Sequence, residues 1–472
     1  MPKTSPIATV SAQKTGLSTI ECSSRFANCT ELPSRLLIIR FTYLLSPLEG
    51  GTARKSSVIG FYSAKHKNDA RTIAVLRRHS DPTERLSMRN TPRWHGLDLL
   101  RAVAMLLGLV IHACLPFTNP GVNDWVPAPP YDVPEAHWII WLTTMWIHVW
   151  RMPVFMLLGG FFTELVLQKR GPGAFLRDRL LRVLSGMALF SMFFSLVMKL
   201  DWGVLDYLWF LWILFLFSLM AAVAHWLRLT GIFHCFRWFS AHPARLIWLV
   251  LPITLANYVG RSEGLISIIP YRVWDEPFTA LATYVVFFWL GQCLFHHQGL
   301  LSRFKDRNLW IPLLITGLVL LGCASAIWVA RPLGPDGTKL AMSFLTACLS
   351  LSWSFCAIGF ALYALTVRSA FVDWMVLLSY PVYVLHFYPI VILTGLLVSL
   401  GASQGLAILG GIVLCFALCA AIYLLFLRWT PVDWVLSGYS KSRFTTAMRS
   451  VLAKLRSGRA DAGGTPSKPA PR

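Results

Sequence analysis

Charged residues are scarce in this chain of 472 residues. Asp, Glu, Lys and Arg make up 14% of it, whereas apolar residues make up 56%. An ordinary soluble domain carries about 25% charged residues. A water-soluble protein of this size cannot hide so much apolar surface, which excludes a soluble multidomain enzyme and a disordered chain. The composition predicts a protein that crosses a membrane several times.

Acidic residues are also few, and the cysteines show no paired spacing. Asp and Glu number 22 against 43 Lys and Arg, and the positive excess is concentrated in residues 1–93 and 428–472. Two basic ends suit the cytoplasmic surface of a membrane, so we expect no nucleic-acid partner. The ten cysteines contain no CxxC pair, which gives no case for a disulfide framework, a zinc site or any other metal site.

Long apolar segments recur at lengths that suit a bilayer, whose core of about 30 Å needs about 20 helical residues. Ten such segments occupy residues 97–117, 138–167, 183–200, 207–228, 246–260, 278–297, 309–330, 341–367, 374–400 and 403–427. The pattern predicts an all-α polytopic membrane protein with about ten transmembrane helices.

Charge alternates between the loops that join these segments. Residues 169–182 hold five Lys and Arg, whereas residues 118–137 hold three acids and no Lys or Arg. Such alternation follows the positive-inside rule. We therefore expect the N- and C-termini on the cytoplasmic side of the membrane.

Three parts follow from these patterns. Residues 1–92 are basic and aperiodic, which predicts a disordered extension or a start assigned too early, with Met88 as the candidate natural start. Residues 93–434 form the membrane domain. Residues 435–472 are basic and end in a stretch rich in Pro, Gly and Ser, which predicts a disordered cytoplasmic tail.

Two ionisable residues of the first apolar segment share one helix face. Arg101 and His112 are eleven positions apart, which at 100° per residue leaves an offset of about 20° and an axial separation of about 16 Å. Gly108 lies between them and permits close approach of a neighbour or ligand. Asp98 precedes Arg101 by one turn and can pair with it. Ionisable groups within a membrane favour function, although a snorkelling Arg101 and a structural core His112 fit the same pattern.

Arg151 lies well inside the second apolar segment, and His148 precedes it by one turn. An arginine at this depth needs a carboxylate, a carbonyl group or an anionic ligand as a partner. A structural clamp is the alternative to a functional role.

Arg179 and Arg182 lie one turn apart before the third segment, where two guanidinium groups match the oxygens of a phosphate. Ordinary positive-inside charge explains them equally well. His386, in the ninth segment, is surrounded by tyrosines, and a structural role for it is as plausible as a chemical one.

Five motifs stand in a recognisable order along the membrane domain. They read LDLLRAVAMLLGLVIH, RMPVFMLLGGFF, RLLR, LWFLW and SYPVYVLH. In this order they resemble membrane-bound acyltransferase family 3, and the resemblance covers about residues 93–434. Within that family the chain is most similar to the glucan-biosynthesis branch, to which succinyl transfer onto periplasmic glucans is attributed.

The resemblance implies an O-acyltransferase of the bacterial inner membrane. Such an enzyme moves an acyl group, succinyl or acetyl, from cytoplasmic acyl-CoA to a hydroxyl of an extracytoplasmic glucan or another polysaccharide. Acyl-CoA is then a co-substrate, and no bound cofactor is expected. The carbohydrate acceptor and the lipid bilayer are the other partners.

On that premise the candidate residues take roles. Arg179 and Arg182, together with Arg101, bind the phosphates of acyl-CoA. His112 is a general base on the acceptor hydroxyl or a transient acyl carrier, and Arg151 stabilises an oxyanion or holds the carboxylate of a dicarboxylic acyl group.

Supporting roles fall to Asp98, His148 and His386.

Three other functions remain compatible with the sequence. One is O-acetylation of a lipopolysaccharide or exopolysaccharide. Another is a transporter or flippase, which also combines many spans with buried charges. Acidic residues are scarce inside the spans, and this argues against a proton-coupled carrier. The third is a non-catalytic sensor or assembly subunit.

Overall fold

A computed structural model describes residues 95–119, 135–229, 231, 233, 236–262, 266–267, 270–365, 369–439 and 442–462. The expected extension over residues 1–92, with Met88, lies outside these ranges. Apart from two strands of two residues each, the regular elements of the described chain are helical. The predicted all-α polytopic class is confirmed.

The elements are numbered here in chain order. The α-helices are α1 (His95–Thr118), α2 (Trp138–Arg179), α3 (Ser185–Met198), α4 (Trp209–Trp226), α5 (Arg237–Ser240), α6 (Val250–Gly260), α7 (Phe278–His296), α8 (Gln298–Arg303), α9 (Arg307–Ala330), α10 (Gly334–Ala364), α11 (Ala370–Leu385), α12 (Phe387–Ser399), α13 (Gln404–Ala421), α14 (Val432–Ser437) and α15 (Arg443–Ala462). The antiparallel strands are β1 (Arg261–Ser262) and β2 (Ile266–Ser267). Turns of 3₁₀ or π helix occupy Leu180–Leu184, Asp206–Leu208, Pro243–Leu249, Ile422–Phe426 and Leu427–Trp429.

Eight helical stretches of the described chain are long and apolar enough to cross a membrane, and a bent pair of helices makes a ninth. One of the eight, Trp138–Met198, has 61 residues. At 1.5 Å per residue it would extend about 90 Å, three times the thickness of a bilayer core. Gly171 breaks it with φ 75° and ψ 164°, far from helical values. Predicted segments two and three lie on either side of this break, which accounts for the difference from ten.

The first helix is central to the bundle. α1 packs against α2, α10, α11, α12 and α13. Glycine allows the closest of these contacts, because a Cβ at Gly96 would collide with the backbone oxygen of Ala361 on α10. Small residues at helix interfaces are the usual means of close packing in membranes. The helix that carries Arg101 and His112 is therefore surrounded by protein.

The predicted ninth segment is not straight. α11 and α12 meet at His386 with a bend of 78°. Pro389 lies in the first turn of α12 and has no backbone N–H to continue the hydrogen-bond ladder of α11. The bend places His386 at a helix break in the interior, where its side chain is fully buried.

Within the segment 435–472, for which the sequence predicts a disordered tail, α15 occupies Arg443–Ala462. Its first turn is anchored by the buried Asp433, whose carboxylate accepts hydrogen bonds from the Tyr423 hydroxyl at 3.1 Å and the Arg443 amide at 2.9 Å. These contacts join the start of α15 to the end of the membrane domain. Residues 463–472 lie outside the described ranges.

Candidate active site

Two histidines from distant parts of the chain meet inside the bundle. Nδ1 of His112 on α1 lies 2.8 Å from Nε2 of His386 at the break between α11 and α12. Their ring planes are 13° apart and their centroids 5.0 Å apart. We call them the histidine pair. The sequence predicted each of the two residues as a separate candidate and did not predict their contact.

The hydrogen bonds of the pair define its tautomers. Nδ1 of His386 lies 2.6 Å from the backbone oxygen of Tyr383, which can only accept. Nδ1 of His386 therefore carries the proton, and in the neutral ring its Nε2 accepts. The donor to that Nε2 is Nδ1–H of His112. Nε2 of His112 is left with its lone pair, as a general base requires.

The pair is accessible from one side only. His386 is fully buried, whereas His112 is half-buried. The Phe387 ring packs edge-on against His112 with centroids 4.9 Å apart, and the Tyr207 ring lies 5.5 Å from His386. The exposed surface of the pair therefore belongs to His112.

A buried arginine lies beside the histidine pair. Nε of Arg151 donates to the backbone oxygen of Ala104 at 2.8 Å. A Cβ at Gly108 would lie 2.6 Å from Nη2 of Arg151 and 3.4 Å from Nε2 of His386. The neighbour that Gly108 admits is therefore this guanidinium. It is a fixed positive charge where a developing negative charge near His112 would be stabilised.

Replacing Gly108 with Ala tests that placement. The added methyl group displaces the guanidinium, which is the flexible end of its side chain, and leaves the backbone intact. A misplacement of about 1 Å at a catalytic group costs up to about 100-fold in rate. We expect the kcat of the acyl transfer that the sequence predicts to fall between about tenfold and 100-fold. The turnover of the purified variant measures this fall, and its thermal stability stays unchanged.

Gly322→Ala is the matched control, because nothing in the described chain lies within 4 Å of a Cβ at that helical position. Equal turnover in the two variants would contradict the role given to the Arg151 guanidinium.

Asp98 and His148, the predicted supporting residues, lie near Arg101 and His112 respectively. Asp98 pairs with Arg101 at 3.5 Å, as the spacing of one turn indicates. The Arg101 guanidinium also lies 5.0 Å from the Phe162 ring centroid of α2. His148 lies within electrostatic range of His112.

The other predicted arginines form a second group, the arginine cluster, made of Arg101, Arg179 and Arg182. Their charges are close enough to act on one another. Asp178 pairs with Arg182 at 3.9 Å, and the Phe175 ring lies 5.0 Å from Arg179.

Buried donors remain in the arginine cluster. Among the described residues, Nε of Arg179 and Nε of Arg182 have no hydrogen-bond partner, although both atoms are buried. An unpaired buried donor costs free energy, and a bound anion removes that cost.

Sequence reasoning missed a buried carboxylate on α2. Glu164 accepts hydrogen bonds from His225 at 3.2 Å, His296 at 3.0 Å and Gln292 at 3.3 Å. Its position inside an apolar run was the available signal, since ionisable residues there are functional candidates. Gln168, one turn along α2, also donates to it at 3.1 Å, but the other partners come from the ends of α4 and α7, which no local pattern indicates.

Within the described ranges no group of three or more His, Cys, Asp and Glu side chains is arranged to hold a metal ion. The seven cysteines in that part of the chain are free thiols.

Comparison with known proteins gives one family and several relatives. The acyltransferase 3 family model, described as "Acyltransferase domain", matches residues 94–426. Glucans biosynthesis protein C of Salmonella paratyphi B is 24% identical over 261 residues, which are 46% of this chain and 62% of that protein. The proteins of the same name from Salmonella dublin and Salmonella enteritidis match equally.

The chain thus spans 62% of the length of these curated relatives. No solved structure matches.

Proposed function

This chain belongs to the acyltransferase 3 family, and we propose that it transfers an acyl group from acyl-CoA to a hydroxyl of a carbohydrate. The observation that carries the proposal is the histidine pair, in which His386 leaves Nε2 of His112 as a base beside the buried Arg151. α1 carries both His112 and Arg101 of the arginine cluster. One helix thus connects a catalytic base with a site for phosphates.

The arginine cluster is the proposed site for the acyl donor. Acyl-CoA carries several phosphates, and guanidinium groups bind phosphate oxygens with paired hydrogen bonds. Buried Nε donors without partners at Arg179 and Arg182 favour an anionic ligand over ordinary surface charge. About 16 Å of α1 separates Arg101 from His112, so the acyl arm runs along this helix from the phosphates to the base.

The chemical step needs one base and one fixed cation. Nε2 of His112 takes the proton of the acceptor hydroxyl while that oxygen bonds to the thioester carbon. The carbonyl oxygen becomes an oxyanion beside Arg151. Collapse breaks the C–S bond, and the CoA thiolate recovers the proton from His112. The products are an ester and free CoA thiol.

A covalent variant of this route uses the same atoms. In it Nε2 of His112 first attacks the thioester carbon, and the C–S bond breaks to release CoA thiolate. The acceptor hydroxyl then attacks the acyl-imidazolium carbon, the C–N bond breaks, and the hydroxyl proton passes to the thiolate. The alternative role for Arg151 is to hold the free carboxylate of a succinyl group in place of the oxyanion.

We take the acceptor to be a glucan and the donor to be succinyl-CoA or acetyl-CoA. The curated relatives are named for glucan biosynthesis. The positive-inside pattern supports the arginine cluster on the cytoplasmic side of an inner membrane and His112 toward the outer side. O-acetylation of a lipopolysaccharide or exopolysaccharide is the nearest alternative.

Release of CoA thiol by the purified protein in nanodiscs tests the proposal. We expect release from succinyl-CoA or acetyl-CoA to require β-glucan, and Arg179→Gln to raise the KM for the thioester about tenfold, since a hydrogen bond to a charged group contributes about 1.5–3 kcal/mol. Arg177→Gln, an exposed neighbour, is the matched control and leaves KM unchanged.

If thiol release does not depend on β-glucan but requires an added lipopolysaccharide, the alternative acceptor is the correct one. Transport of either compound by the same protein in sealed proteoliposomes, with no thiol release, would overturn the assignment as an enzyme.

A further inference from the structure

α15 is both amphipathic and basic. Its 20 residues include five Lys and Arg and one Asp. At about 100° per residue, four apolar side chains fall in a sector of about 100°, which we call the apolar face: Phe444, Met448, Val451 and Leu452. Arg443 and Arg449 lie on the two flanks of that face. An apolar face between basic flanks is typical of a helix that lies in the surface of a membrane.

The rest of the described chain covers only the beginning of the apolar face. The Phe444 ring packs against Trp434 with centroids 5.5 Å apart, and Met448 is half-buried. One turn further along, Val451 is 55% exposed and Leu452 is 46% exposed. Removing such aliphatic side chains from water is favourable. This part of the face is therefore available to a partner outside the described residues.

Aromatic side chains place the start of α15 near the lipid headgroups. The last candidate span ends at Trp429, which is exposed, and Tyr439 is exposed just before α15 begins. Trp and Tyr are enriched at the boundary between membrane and water. The Arg449 guanidinium lies 5.8 Å from the centroid of the Tyr439 ring. This contact keeps α15 beside an interfacial ring as far as Arg449.

The arginine cluster lies at the same end of the bundle as α15. A Cβ at Gly438, between α14 and α15, would lie 3.3 Å from Nε of Arg182. The positive-inside pattern predicts that this end faces the cytoplasm. The cytoplasmic leaflet carries a negative surface potential, which attracts basic segments next to a transmembrane helix. The charge of α15 is therefore complementary to that of the nearest lipid surface.

We propose that α15 lies on the cytoplasmic leaflet and binds anionic phospholipids, with Val451 and Leu452 among the acyl chains and Arg443 and Arg449 beside the headgroup phosphates. The inference does not depend on the proposed function, because it needs no acyl transfer. Since Asp433 of α14 accepts from the Arg443 amide at 2.9 Å, a lipid-bound α15 also fixes α14 beside the arginine cluster.

Hydrogen exchange of the full chain in nanodiscs tests the proposal. One set of discs contains phosphatidylcholine alone, and the other contains phosphatidylcholine with phosphatidylglycerol. Nanodiscs expose both leaflets, so the orientation of the protein does not affect the result. Each Lys or Arg at an anionic surface strengthens binding by about fivefold, and a bound helix exchanges its amide hydrogens more slowly. We expect exchange in α15 to be at least about tenfold slower in the anionic discs.

Two double variants with the same number of added glutamines separate the apolar face from the rest of the helix. Val451→Gln combined with Leu452→Gln removes the exposed part of the face, and Gln preserves helix propensity. The ratio of exchange rates between the two kinds of disc then falls to about one. Ser450→Gln combined with Ala453→Gln alters exposed positions on the opposite side of α15. This pair is the matched control, and we expect it to keep the wild-type ratio.

Equal exchange of wild-type α15 in the two kinds of disc overturns the proposal, and so does the same ratio in both double variants. If slower exchange requires a second copy of the chain in the disc and not anionic lipid, the apolar face is an interface between copies, and the proposal is wrong. Because the readout needs no turnover, failure of the proposed function leaves this result unaffected.

Discussion

His112→Ala abolishes acyl transfer and leaves the protein folded and inserted. His112 is the member of the histidine pair whose Nε2 is left with a lone pair by the hydrogen bonds, and it is half-buried whereas His386 is fully buried. General acid–base catalysis by a positioned side chain contributes about 10²–10⁴-fold. We therefore expect kcat for thiol release to fall at least about 1,000-fold, with acyl-CoA binding retained.

Unchanged acyl-CoA affinity and unchanged thermal stability of the same variant preparation would show that the loss lies in the chemical step and not in binding or folding. His242→Ala is the matched control, because this histidine is exposed and its ring only accepts from the Ala244 amide. Retention of more than about a tenth of wild-type turnover in His112→Ala would remove His112 from the mechanism.

His386→Leu lowers kcat by roughly 10²–10³-fold, while the KM values for donor and acceptor stay close to those of wild type. Leucine cannot accept the hydrogen bond from Nδ1 of His112, so nothing then fixes the tautomer that leaves Nε2 unprotonated. His386 acts through His112 and is a positioning residue. The measurement is kcat and both KM values for the purified variant.

His386→Gln separates positioning from packing. The glutamine oxygen reaches toward the place of Nε2 and can accept from His112, so we expect turnover within about tenfold of wild type. If Gln and Leu lower kcat equally, His386 fills space and does not orient His112.

The face of α1 could be predicted from the sequence. The period of the helix brings Arg101, Gly108 and His112 to one stripe whatever the rest of the fold does. The pairing of Asp98 with Arg101 follows from the same local geometry. The family was also predictable, because motifs in fixed order are local features, and the match over residues 94–426 confirms it.

The partner of His112 could not be predicted. His386 is 274 positions away along the chain, and only the bend between α11 and α12 turns its ring toward α1. The sequence left a structural and a chemical role for His386 equally open. The packing of distant helices, which local periodicity does not determine, made the difference.

The same limit applies to Glu164 and to α15. The histidines that bond Glu164 come from the ends of α4 and α7, so they become its partners only after the bundle packs. α15 is ordered at its start by Asp433, which the sequence gives no reason to associate with residue 443. In both cases the contacts join distant segments of the chain, and local composition does not predict such contacts.

Acylation across a sealed membrane tests the central claim most directly. Everted inner-membrane vesicles expose their cytoplasmic face, and β-glucan can be enclosed in them before acyl-CoA is added outside. Mass spectrometry of the enclosed glucan then reports the ester. We expect acylated glucan with wild-type protein and none with His112→Ala. Ester formation that does not need His112, or passage of either compound into the lumen with no ester in wild type, would contradict the account.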